Sequence, residues 1–83
     1  NDQEDKVVSV FQLDATSVRN QSVDSYLFAT IAARIQRHRA FITIRARDDR
    51  SGRWLYQELN RRVDFRIEAR FEISSNPSVS LTL

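Results

Sequence analysis

Eighty-three residues, 41% apolar and 29% charged, with one glycine and one proline, describe a single globular domain and exclude collagen-like and low-complexity chains. A formal charge of +2 is too small to be a nucleic-acid footprint by itself. Zero cysteines and one histidine exclude disulfides, thiolate catalysis and multi-histidine metal sites.

No apolar run approaches the ~20 residues that a membrane-spanning helix needs. All but one of the 13 Lys and Arg residues are Arg, the side chain that grips carboxylates and phosphates through two parallel bonds. That bias fits anion recognition and equally fits a compositional preference.

In chain order, residues 1–6, "NDQEDK", are wholly polar and read as a disordered leader, with the folded domain spanning 7–83. "VVSVFQL" (7–13) is apolar and β-branched, a strand broken only by Ser9. The polar stretch Asp14 to Gln21 ends it. Ser22 can then cap a helix, and Asp24 suits the positive end of the helix dipole. Val23, Leu27, Ile31 and Ile35 recur every four residues, flanked by Tyr26 and Ala32, and predict one buried stripe. His38 falls among arginines at the far end and reads as a solvent-facing residue.

"AFITIRA" (40–46) is a second strand, with Ile42, Ile44 and Ala46 on one face and Phe41 and Thr43 on the other. "RDDRSG" is a turn, and "RWLYQELNRRV" (53–63) a short helix. From 63 to 74 the pattern alternates without a fault. Val63, Phe65, Ile67, Ala69, Phe71 and Ile73 share one face, and charged residues the other, which predicts a long half-buried strand. "SNP" (75–77) marks a turn before a last strand, "SVSLTL". The order β-α-β-α-β-β predicts an α+β two-layer sandwich, a sheet with two helices on one face.

No catalytic constellation emerges, so no enzyme activity is expected. Asp48 and Asp49 are adjacent carboxylates, but no His or Lys stands near them. Ser51-Gly52 lacks the G-x-S-x-G elbow, and a lone glycine cannot build a phosphate loop, so no cofactor is implied. An RNA platform would place aromatics on an exposed sheet face. Here Phe65 and Phe71 fall on the apolar side, and Arg66 and Arg70 alternate with acids as cross-strand ion pairs do.

Several segments in order resemble one family. "FQLDATSV" (11–18) is similar to a strand ending near F-x-x-D, and in "FITIRARDDRSG" Asp49 and Gly52 keep a D-x-x-G turn spacing. Tyr56-Gln57 stands where Y-N is expected, "LNRRV" (59–63) resembles L-S-x-R-R-A, and "IEARFEISSNP" (67–77) resembles I-x-A-R-G-x-G-E-S-N-P. These are the marks of the OmpA-like peptidoglycan-binding domain shared with MotB and Pal, in a divergent and shortened form. Ala46-Arg47-Asp48 replaces the family's G-H-T, Phe71 and Ile73 replace two glycines, and the helix after the turn is truncated.

The resemblance implies a mixed sheet and a non-catalytic, periplasmic domain of the bacterial cell envelope, anchored to the outer membrane through a segment outside this chain. Its ligand would be the diaminopimelate of the peptidoglycan stem peptide. Asp49 would receive the ammonium, Arg62 (or Arg61) the carboxylate, Tyr56 would line the wall, and Gly52 would shape the turn. The alternative on the same fold is a domain that has lost the wall ligand and binds proteins of a secretion or motility complex. RNA binding is a second alternative.

Overall fold

The computed structural model describes residues 7–83, so the leader expected at 1–6 lies outside the described residues. The chain runs β1 (Val7–Gln12), α1 (Ala15–Arg19), α2 (Ser25–His38), β2 (Phe41–Ala46), α3 (Asp49–Asn60), β3 (Ala69–Ile73) and β4 (Ser78–Thr82). The strands form one mixed sheet in the order β1-β4-β2-β3. β4 is antiparallel to both β1 and β2, and β2 is parallel to β3. With α2 and α3 packed over it, the domain is the α+β two-layer arrangement expected from the element order.

Alternation decides the layers. Ile42, Ile44, Ala46, Val79 and Leu81 point to the helical side and are buried, where Phe28, Ile31 and Ile35 of α2 and Leu55 and Leu59 of α3 meet them. The ring of Phe28 packs against Trp54 at 5.8 Å, which joins the two helices above the sheet. The stripe read from the sequence missed Phe28 and overstated two members: Val23 and Tyr26 are exposed. Both lie in the entry to α2 or its first turn, beyond the edge of the core.

Three local expectations are corrected. The stretch after β1 holds a short helix, α1, because Asp14 accepts the Ser17 N–H at 3.0 Å as an N-cap and Val18 adds a buried residue. The cap of α2 is Asp24, accepting from the Leu27 N–H at 3.1 Å, and not Ser22. α3 begins at Asp49, so most of the expected "RDDRSG" turn is its first turn; Asp48 caps it, accepting the Ser51 N–H at 2.8 Å.

The largest departure is the expected strand 63–74, of which only Ala69–Ile73 is a strand. An alternating segment becomes a strand only where a partner runs beside it, and β2 begins at Phe41. The ladder therefore opens with the Ile42 N–H donating to Glu68 O at 3.0 Å. Residues 61–68 instead carry the chain from α3 to β3, held by side chains. Asn60 donates to Phe65 O and accepts from the Ile67 N–H. Gln36 exchanges two bonds with Asp64. Arg39, in the left-handed region at φ 49°, lays its guanidinium 4.0 Å from the Phe65 ring centre.

Candidate functional site

The residues expected to hold a zwitterionic ligand divide between the two ends of α3. Asp49 is in its first turn and pairs with Arg53 one turn on. Arg61 is the C-cap, and Arg62 follows it. The helix between is 12 residues long, about 18 Å at about 1.5 Å per residue. Asp49 and Arg62 therefore stand near opposite ends of α3 rather than side by side.

The arginine pair has its own acceptor. Glu58 receives Arg62 Nη1 at 3.0 Å on Oε1, and Arg61 Nη1 lies 3.7 Å from Oε2. Arg62 also donates to Glu58 O at 2.6 Å and stands over the Phe28 ring. Tyr56 is committed as well: its hydroxyl donates to Ile67 O at 2.7 Å, tying α3 to the approach to β3.

Asp49 does line an open cleft of about 640 Å³ with Gln21, Arg50, Arg53, Trp54 and Gln57. The neighbouring carboxylate, Asp48, is held below the usual aspartate range. The Ser51 backbone N–H contributes most, then the Ser51 side chain, and after these the positive charges of Arg47 and Arg50. Its work is to cap the helix.

Gly52 has a packing role that the sequence did not reveal. A Cβ there would stand 3.1 Å from Cδ1 of Phe71, so the glycine lets the Phe71 ring lie against α3. Tyr56 flanks the same ring, with centroids 6.1 Å apart.

Phe71 and Ile73, placed by alternation among the buried residues, are exposed by 48% and 74%. They lie on the helical side of β3, but β3 is the outermost strand and α3 does not reach past it. With Tyr56, Arg53, Phe41 and Ala69, Phe71 borders an open groove of about 540 Å³.

The backbone beside this groove is equally open. The β2–β3 ladder is bracketed by Ile42 N–H to Glu68 O and Ser74 N–H to Ala46 O. The even-numbered residues of β3 thus turn their amides towards β2. With a period of two, Ala69, Phe71 and Ile73 turn theirs away from the sheet. On the opposite face, Arg45 Nε bonds Glu72 Oε1 at 2.9 Å, the cross-strand ion pair expected there, and Arg45 Nη1 reaches Ser80. A strand edge with outward amides and two large apolar side chains is a surface that can accept another strand.

Among the described residues there is no cluster of His, Asp and Glu that could hold a metal ion, and no helix is long and apolar enough to cross a membrane. No family model, no curated protein and no solved structure matches the chain.

Proposed function

We propose that this domain is a non-catalytic protein-interaction module of the bacterial cell envelope, and that its contact surface is the free edge of β3. The envelope setting and the periplasmic location rest on the family resemblance. The contact surface rests on one observation: the outward amides of Ala69, Phe71 and Ile73 coincide with the exposed Phe71 and Ile73 side chains. Strand addition takes affinity from such amides and specificity from alternate side chains.

Photo-cross-linking in the native cell tests it. A photoreactive residue at Ile73 should give a defined protein adduct, whereas one at Arg37, exposed on α2, should not. Equal labelling at both positions, or none at Ile73, overturns the reading.

A second reading keeps the peptidoglycan ligand in a changed site. It is favoured by the cleft in which Asp49 stands beside Arg50, Arg53 and Trp54, where an acid and a base line one concavity without Arg62. Co-sedimentation with purified sacculi separates the two. The interaction module stays in the supernatant; a wall-binding domain pellets, and Asp49→Ala releases it while Arg62→Ala does not.

A further inference from the structure

We propose that β3 pairs with β3 of a second copy of this chain, antiparallel and centred on Phe71, so that two four-stranded sheets join into one. This deepens the edge reading above and rests on it. The strand "ARFEI" is complementary to itself when antiparallel.

An antiparallel pair alternates between positions that exchange two hydrogen bonds and positions that do not. The outward amides belong to Ala69, Phe71 and Ile73. A two-fold axis at Phe71 sets Phe71 opposite Phe71 and Ala69 opposite Ile73 on both sides, so all three outward residues of each copy are used. The intervening positions then set Arg70 opposite Glu72 twice, on the face away from the helices.

The charges fit that register. Glu72 gives Oε1 to Arg45, and among the described residues nothing donates to its Oε2. Among the described residues Arg70 has no ion-pair partner and only leans over the Phe41 ring at 5.8 Å. Opposite charges across a strand pair stabilise it and like charges oppose it.

Neighbouring registers fail on the same residues. An axis at Arg70 or at Glu72 stacks that charge on its own copy. An axis at Ala69 calls on Ile67, whose carbonyl already accepts from Tyr56. An axis at Ile73 runs into the turn at 75–77. The five-residue strand and two apolar side chains bury little area, so the association is concentration-dependent rather than obligate.

Two charge reversals test the register by analytical ultracentrifugation of the purified domain. Wild type should double its mass as concentration rises, while R70E and E72R should each stay monomeric, since each sets like charges face to face. Their equimolar mixture should regain the doubled mass, because every facing pair is again opposite in sign. Circular dichroism checks that each variant is folded, which matters for E72R because Arg45 loses its carboxylate partner and keeps only Ser80. If E72R is not folded, two single-cysteine variants, R70C and E72C, take its place; the chain has no native cysteine. Mixed under oxidation they should form a disulfide far faster than either alone.

A wild type that stays monomeric at every concentration overturns the second copy as occupant. If Ile73 still cross-links in the cell, the edge reading survives with another partner, and if it does not, both fall. A dimer insensitive to R70E, or a mixture of charge-reversed chains that fails to associate, overturns the register.

Discussion

The two edges of the sheet are protected to different degrees. β1, at one edge, is antiparallel to β4, and its register shifts between Val7 and Ser9, a bulge of the kind that spoils pairing with a further strand. Arg34 reaches down from α2 to the Ser9 hydroxyl at 3.1 Å and lies over the Phe11 ring. β3, at the other edge, pairs through an unbroken parallel register and leaves Phe71 and Ile73 exposed. Its attachment comes from the segment before it, where Tyr56, Asn60, Gln36 and Arg39 fasten residues 64–67. Fastening a strand through its approach leaves its own side chains and outer amides free for a partner.

Ile67→Ala should have the largest effect on the β3 edge. Ile67 is buried at the foot of β3, and truncating a buried isoleucine costs about 2–5 kcal/mol, read as a lower denaturation midpoint. Amide exchange should accelerate in 69–73 before it does in 7–12. A uniform loss of protection would mean that β3 is not held through its approach.

Asn60→Ala comes next. It strips a donor from Phe65 O and an acceptor from the Ile67 N–H, and leaving such groups unpaired costs about 1–3 kcal/mol. On the β1 side, Ser9→Ala removes only an exposed bond to Arg34 and should shift stability by less than about 0.5 kcal/mol. If the two changes are equal, the edges are held alike.

A smaller effect concerns Gly52 and Phe71. Alanine in place of a helical glycine gains up to about 1 kcal/mol, but here its Cβ meets the Phe71 ring at 3.1 Å. Gly52→Ala should therefore stabilise the domain more in a Phe71→Ala background than in wild type. Additive effects would show that the ring does not rest on the glycine.

Much of this architecture was legible because periodicity reports burial. β1, β2, β4 and the body of α2 followed from it, and so did the two-layer class. What failed were features set by partners rather than by pattern. The alternation of 63–74 was complete, yet β2 is too short to pair with its first half, and α3 too narrow to cover Phe71 and Ile73. The site suffered similarly. D-x-x-G spacing singled out Asp49 and Gly52 but could not tell that Asp48 caps α3, that Glu58 takes both Arg61 and Arg62, or that Gly52 makes room for Phe71. The available signal for an exposed apolar surface was Phe71 and Ile73 standing where the pattern that 67–77 resembles has glycines.

The smallest effect belongs to Asp48. Hydrogen bonds from Ser51 and the charges of Arg47 and Arg50 favour the ionised carboxyl in the folded state, so its pKa lies below the ordinary aspartate value. A depressed folded pKa stabilises the fold above the unfolded pKa, about 3.9. That stabilisation is lost as the pH falls from there through the folded value. Asparagine retains the capping geometry without the charge. Wild type should thus melt slightly above Asp48→Asn at neutral pH, with the gap closing below about pH 4. Because Asp48 caps the helix whose Gly52 supports Phe71, the same acid range should loosen the β3 side first. Melting curves that stay parallel into acid would remove the charge of Asp48 from the account of how α3 is anchored.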